Sequence, residues 1–304
     1  MKELIAIAID EDDGVRLDRW FARYKPEITH SLLQKFLRKR LVRVNGKKVE
    51  TSYRVKVGDE IMLKDVGFEE REREQYKMPN PVNVSDRDIK DFHNMVIFEN
   101  KDYIIINKPS GLASQGGTGI KMSVDDMIRA VSERYKLVHR LDRDTSGVLV
   151  IGKKTTAAAK FAELLKAKQV TKIYWAVVLG RPPQNKGIIK LALMKKGEKH
   201  QKIEVDEDEG KKAITEYTVL EDLGGKMTWL ELSPITGRMH QLRVHCASMG
   251  CPIIGDGKYG GTDVHIKGMD RKLHLHARRI IIDELDIDVT APLPKHMELY
   301  APSV

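Results

Sequence analysis

His139-Arg140-Leu141-Asp142-Arg143-Asp144-Thr145-Ser146-Gly147, followed by the apolar run Val148 to Ile151, is the stretch that organises this chain of 304 residues. An apolar run after a glycine is a strand signal. The nine residues before it are too polar and turn-rich for a core. They read as a loop on the lip of a sheet, where scaffolds usually present chemistry. Asp142 stands between Arg140 and Arg143. A carboxylate with cations close by stays ionised and can act as nucleophile or charge stabiliser. The same residues fit a surface loop whose charges pair among themselves, so partners elsewhere in the chain must decide.

Downstream, Thr155 or Thr156 caps a helix through Lys168, with Phe161, Leu164 and Leu165 on its core face. Lys172 to Gly180 is a strand ended by glycine, and Tyr174 faces away from Ile173 and Trp175. A lone strand tyrosine is more often core than catalytic. Further strands are expected at 188–193, 213–220 and 227–232, with the acidic run Asp206 to Glu209 as a hairpin tip. Ser233 to Cys246 then reads as a Pro- and Gly-containing loop that opens a helix to Met249, stopped by Gly250. Met239, Leu242 and Cys246 share one face of it. Arg238, Gln241 and His245 lie on another, with Arg243 at the border. Long polar groups at a helix start suit a phosphate or a carboxylate. His240, His245, Cys246, Cys251, His274 and His276 all fall late, but no zinc spacing joins them, so no metal is expected. His274 and His276 alternate with Leu273 and Leu275 on a strand.

Upstream, Ser123 caps a helix from Val124 to Tyr135. Met95 to Phe98 and Tyr103 to Ile106 are strands, and Asn107 to Leu112 turns the chain. The glycine-rich Gln115 to Gly119 lacks a Gly-Lys-Ser/Thr ending and does not follow a strand directly, so nucleotide binding is rejected. Residues 66–93, with alternating charges at Glu69 to Glu74 and the breaker Pro79-Asn80-Pro81, read as a linker. A short helix over 69–76 is the alternative.

The first 65 residues form a separate unit. After a short strand-like start, Leu17, Trp20, Phe21 and Tyr24 recur at helical spacing until Pro26. Thr29-His30-Ser31 caps a second helix carrying Leu32, Leu33, Phe36 and Leu37. Leu41 to Val49 contains Asn45-Gly46, a hairpin turn with a return strand, and Val57 to Leu63 adds a turn and a strand. Between Arg16 and Lys48 stand eleven basic residues and two acidic ones, a local balance equal to the whole chain's +9. Solvated faces usually mix signs. This one does not, so Arg16, Arg19, Lys35, Arg38, Lys39, Arg40, Arg43, Lys47 and Lys48 are expected to meet nucleic acid.

Composition agrees. A hydrophobic fraction of 41% and a charged fraction of 32% fit a soluble globular chain. The positive charge points to an anionic partner. The apolar run Leu4 to Ile9 is too short for a signal or a span, so the expected partner is nucleic acid rather than membrane, and the expected address is the cytoplasm. Two cysteines form no disulfide framework, which fits a reducing compartment.

The first unit resembles the ribosomal S-four family of RNA-binding domains, through Arg16-Leu17-Asp18, Ser31 to Lys35, Leu37-Arg38, Val42 to Lys47 and Val57-Gly58-Asp59. HRLDRDTSG at 139–147, KIYWAVVLG at 172–180 and TGRMHQLRVH at 236–245 stand in chain order after Asn107-Lys108-Pro109-Ser110-Gly111-Leu112. Together they resemble the RluA group of pseudouridine synthases, and Lys108 to Gly117 is most similar to its RluC branch. The resemblance implies an α+β fold. A mixed, largely antiparallel catalytic sheet over 94–304 would follow a small α/β S-four-like RNA-binding domain at 1–65 and a linker at 66–93. It also implies that Asp142 is the catalytic aspartate, Tyr174 the tyrosine that stacks on the base and assists proton removal, and Arg243 the arginine paired with the aspartate. Arg140 would contact RNA and hold the target nucleotide out of the stack. The implied reaction converts uridine of large-subunit ribosomal RNA, free or in an assembly intermediate, to pseudouridine without cofactor. Nothing demands more than a monomer. Asp144 reads as structural. The competing readings are a non-catalytic rRNA-binding or ribosome-assembly factor and a hydrolase of nucleosides.

Overall fold

A computed structural model describes residues 3–25, 28–64, 83–117, 119–197, 202–298 and 301–302. Two units emerge, residues 1–82 and 83–304. In the first, β1 (Glu3–Ile7), α1 (Leu17–Tyr24), α2 (His30–Arg38), β2 (Val42–Val44) and β3 (Glu60–Lys64) follow in order, and the sheet runs β1-β3-β2 with antiparallel neighbours. The helical stripes read from the sequence are the ones buried. Leu17, Trp20 and Phe21 of α1 and Leu32, Leu33, Phe36 and Leu37 of α2 close on Val42, Val44 and Ile61. Thr29 Oγ1 accepts from the Leu32 amide and so caps α2.

The hairpin expectation needs correction. Asn45 and Gly46 do adopt left-handed φ of 50° and 71°, as a tight hairpin turn requires. The return strand over 47–49 does not form beyond a bridge between Val44 and Lys47. β3 takes that place. The Asn45 amide donates to Glu60 O and the Glu60 amide to Asn45 Oδ1, both at 2.8 Å. Buried Asp59 accepts from Asn45 Nδ2, Tyr53 Oη and the Lys56 amide at 2.7–2.9 Å. A nearby carboxylate with three donors outcompetes the sequential strand.

The second unit starts earlier than the expected linker allows. Residues 65–82, including the segment 69–76, lie outside the described residues. Asp86–Asn94 is a helix (α3), closed by a capping box between Ser85 and Asp88. Its Phe92 is fully buried in the main core, a single anchor that the surrounding charges concealed. Then come β4 (Val96–Glu99), β5 (Tyr103–Lys108), α4 (Val124–Val131), β6 (Lys136–Leu137), β7 (Ser146–Gly152), α5 (Thr155–Lys166) and β8 (Thr171–Leu179). They are followed by β9 (Lys186–Lys196), β10 (Lys202–Val205), β11 (Lys211–Leu223), β12 (Met227–Pro234), α6 (Gln241–Ser248), β13 (Leu275–Ile282), β14 (Ile287–Thr290) and α7 (Lys295–Glu298). Helix α4 stops short of Tyr135 because Lys136 and Leu137 pair with β7. Lys154, not a threonine, occupies the N-cap of α5, and no side chain caps it.

One sheet of eleven strands results, in the order β10-β9-β11-β12-β8-β13-β7-β5-β4, with β14 on β13 and β6 on β7. Every pairing is antiparallel except β13 with β7. The fold is therefore α+β with a mixed, largely antiparallel sheet. The parallel pair is short, His276 to Ser146 and Ala277 to Gly147. It is also tight. Gly147 has φ of +108°, and a Cβ there would lie 2.2 Å from Ala277 O. Only glycine fits such an approach. Ser146 Oγ and His276 Nδ1 share a hydrogen bond of 2.9 Å at the same crossing.

Candidate active site

The loop quoted at the outset enters β7 from above, and the segment 107–114 clamps it. Lys108 is fully buried, and its ammonium donates to the carbonyls of Pro109, Leu112 and Arg143 at 2.7–3.0 Å. Burial draws its pKa down to about 7, and the charges of Asp144 and Asp142 pull it back up. Ser110 donates to Asp144 O, and Ser114 Oγ both donates to Leu141 O and accepts from the Leu141 amide. His139 Nε2 accepts from the Val150 amide at 2.9 Å, and its ring stacks on Phe161. Burial pushes that imidazole's pKa to about 3, so it stays neutral. The loop is thus a fixed mount for Asp142.

The cations around Asp142 are not those its neighbours in sequence suggested. Arg143 pairs with Asp144 at 3.1 Å on the surface. Arg140 is exposed and makes no ion pair among the described residues. Asp142 Oδ2 instead faces Arg243 Nη1 at 3.9 Å and His240 Nε2 at 3.8 Å, both delivered by the start of α6. Arg243 is itself tied to Asp256, whose carboxylate accepts from Nε and Nη2 at 2.7 Å each. Such a bidentate pair fixes the plane of the guanidinium. Tyr259 lies beneath it, ring centre 5.2 Å from the guanidinium carbon. The Tyr259 hydroxyl also shares a 2.7 Å hydrogen bond with His240 Nδ1. His240 holds a left-handed φ of 52° to make this geometry. Strain of that kind in a non-glycine residue concentrates at functional sites.

Tyr174 reaches the site from β8. Burial and the charge of Asp142 push its phenol pKa upward. A cavity of about 380 Å³ is lined by Arg140, Asp142, Lys172, Tyr174, His240 and Arg243. A second one of about 850 Å³ shares Arg140, Asp142, His240 and Arg243 and continues past Asp256 to Lys258 and Arg271.

Two polar residues of α6 are turned mainly into the protein, although Gln241 also touches the wall of the 380 Å³ cavity. Gln241 is buried, accepting from Thr236 Oγ1 and the Arg238 amide and donating to Ile214 O and Thr215 Oγ1. These four bonds hold the loop. His245 is buried as well, as are His274 and His276. The strand that His274 and His276 enter is covered on both faces at its start, which alternation alone could not reveal. Among the described residues no group of three or more His, Cys, Asp or Glu could hold a metal. No described helix is long and apolar enough to cross a membrane.

Asp256, His240, Tyr259 and Lys108 are the partners that sequence reasoning missed. The glycines flanking Asp256 after the apolar pair Ile253-Ile254 were the available signal for it. In the first unit Arg19, Arg38, Lys39, Arg40, Lys47 and Lys48 are exposed and make no ion pair among the described residues. Lys35 and Arg43 are half-buried. Arg16 is exposed and paired with Asp18 through two hydrogen bonds.

Comparisons with known proteins follow the same division. A family model described as RNA pseudouridylate synthase matches residues 102–248, and an S4 domain model matches residues 15–61. The ribosomal large subunit pseudouridine synthase C of Rickettsia conorii is 38% identical, over 88% of this chain and 89% of that protein. Its namesake in Vibrio cholerae is 34% identical over 96% and 94%. The mitochondrial RNA pseudouridine synthase 4 of Arabidopsis thaliana is 32% identical over 92% and 77%. Among solved structures, human RNA pseudouridylate synthase domain containing 4 superposes with a TM-score of 0.58 at 28% identity, covering 68% of this chain and 91% of that one.

Proposed function

The chain belongs to the RNA pseudouridylate synthase family, and from that premise we propose that it isomerises uridines of large-subunit ribosomal RNA with Asp142 as nucleophile. The observation that carries the reading is convergence. Asp142, Tyr174, Arg243 and Arg140, drawn from three distant stretches, line one cavity.

The target nucleotide leaves its stack, which costs a few kcal/mol. Arg140, exposed at the mouth, holds the RNA, and the Tyr174 ring offers a stacking face. In this reading Tyr174 is the platform for the base and stands close enough to it to assist proton removal. Asp142 meets the ribose C1′ as the bond to N1 breaks. The carboxylate bonds to C1′ and the N1 electron pair stays on the base. The base turns, C5 bonds to C1′ as the carboxylate is released, the C5 hydrogen leaves as a proton, and N1 gains one. Arg243, fixed by Asp256, keeps the carboxylate in line. Atoms and electrons balance within the nucleotide, so the proposed reaction takes no co-substrate and no redox cofactor. The substrate is ribosomal RNA or an assembly intermediate, met by a monomer in the cytoplasm. Arg19, Arg38, Lys39, Arg40, Lys47 and Lys48 contact its phosphates, with Lys35 and Arg43 beside them. Relatives named as ribosomal large subunit pseudouridine synthases support this choice of RNA.

Asp142→Asn is expected to abolish pseudouridine in unmodified large-subunit rRNA while leaving RNA affinity near wild type. Mapping of pseudouridines after incubation measures the first and filter binding the second. Undiminished product from the variant would remove Asp142 from its assigned role.

A further inference from the structure

Lys172 lies in the wall of the 380 Å³ cavity and has no part in the account above. It stands two residues before Tyr174 on β8, so both side chains leave the same face of the sheet. Its ammonium makes no ion pair and no hydrogen bond among the described residues. Burial alone lowers its pKa. Withdrawing a cation from water without a partner is unfavourable, and proteins retain such groups mainly where a ligand completes them. Space is available for one. The amine sits 4.0 Å from where a Cβ on Gly237 would be, so the absence of a side chain there leaves its approach open. On its other flank the charge of Lys172 acts on the ring of His139.

The position on the strand suggests what it meets. A uracil stacked on Tyr174 with its ribose toward Asp142 points its far edge away from the carboxylate. Same-face neighbours on a strand are about 6.6 Å apart, and a pyrimidine from N1 to its exocyclic oxygen, extended by one hydrogen bond of about 2.8 Å, covers a comparable length. The atom opposite N1 across that ring is C4, which carries O4. Resting on the reading of the site given above, we propose that Lys172 is a catalytic residue that donates a hydrogen bond to O4 of the flipped uracil. When the N1–C1′ bond breaks, its electron pair passes to the base and spreads from N1 onto O2 and O4. A fixed ammonium at O4 stabilises that charge where it develops, in a site with little water to compete. Lys172 keeps its protons throughout, and no other bond changes on its account. The same donor disfavours cytidine, whose C4 carries an amino group that also donates.

The test uses the full chain and transcripts of large-subunit rRNA built with [5-³H]uridine, with 4-thiouridine or with 2-thiouridine, each labelled at C5. Tritium released in a single turnover reports the rate. Lys172→Met is expected to lower the rate on uridine by about 10²–10³-fold, the usual effect of deleting one such donor, with RNA affinity unchanged. Sulfur at C4 is a poor acceptor. It should slow wild type strongly and Lys172→Met little, because the two changes remove one contact. Sulfur at C2 should affect both proteins alike. Lys172→Arg keeps a charged donor and should recover part of the rate, which guards against misfolding of the methionine variant. A wild-type rate in Lys172→Met, or a 4-thio effect of equal size in both proteins, overturns the proposal. Wild-type enzyme that releases no tritium, or Asp142→Asn that releases as much as wild type, overturns the reaction assignment instead.

Discussion

Arg243 has two carboxylates in reach and treats them unequally. Asp256 receives two hydrogen bonds of 2.7 Å, and Asp142 faces one nitrogen at 3.9 Å. Asp256 is nearly inaccessible, so Asp256→Ala leaves a buried guanidinium uncompensated and should destabilise the protein by about 3–5 kcal/mol. Asp256→Asn should fold more nearly like wild type and still lose turnover, because one strong acceptor is gone. Chemical denaturation and single-turnover rates separate the two effects. A second consequence concerns acid. His245 and His276 are fully buried, and burial lowers both to a pKa of about 4. In the unfolded chain each binds a proton below about 6.5. Their contribution to stability is full above that value and is lost as pH falls from 6.5 toward 4. The slope is about 1.4 kcal/mol per pH unit for each ring. Lys108, lowered to about 7, adds no slope below neutrality. Urea midpoints should therefore drop steadily between pH 7 and pH 5, and a flat profile would contradict the burial argument. Asp142, Tyr174 and Arg243 were singled out by the resemblance that three motifs in chain order carry, and the structure places all three in the lining of one cavity. Asp256 and His240 were not marked in this way. Their roles depend on where a loop folds back, and charges adjacent in sequence were a false guide to which cations face Asp142.

At the scale of elements, β7 against β13 is the tightest joint. Gly147→Ala would place a methyl carbon 2.2 Å from a carbonyl oxygen at φ of +108°. Strain and clash together should cost at least about 2 kcal/mol. Activity should fall further than stability does, since Asp142 leads directly into this strand. Melting temperature set beside turnover tests both statements. Periodicity located the core helices and most strands because each buries a regular stripe. It failed where the partner is remote. The return strand after Asn45-Gly46 loses to Asn45 and Asp59 binding, α3 hides a single phenylalanine anchor among charges, and β10 is too short to stand out.

For the whole molecule, residues 1–82 and 83–304 each enclose their own core. Deleting the first unit should weaken RNA binding by orders of magnitude while a folded catalytic unit remains. If about six phosphate contacts go with it, the slope of log affinity against log salt should flatten by about four to five. Titrations at several salt concentrations measure it, and an unchanged slope would clear the basic residues of the role. Composition and charge made two units legible, but nothing local encodes the order of strands. That order has a temporal meaning. Asp142 belongs to the β4–β7 half of the sheet, and Tyr174, Arg243 and Asp256 belong to the half that contains β8 to β12. Only β13, near the end of the chain, lies between β7 and β8. Chains fold from the N-terminus as they are made, and contacts this distant in sequence form slowly. A nascent chain therefore has its first unit complete long before Asp142, Tyr174 and Arg243 can meet. The S4-like unit is thus the early product of such a chain, and the meeting of Asp142 with Tyr174 and Arg243 a late one.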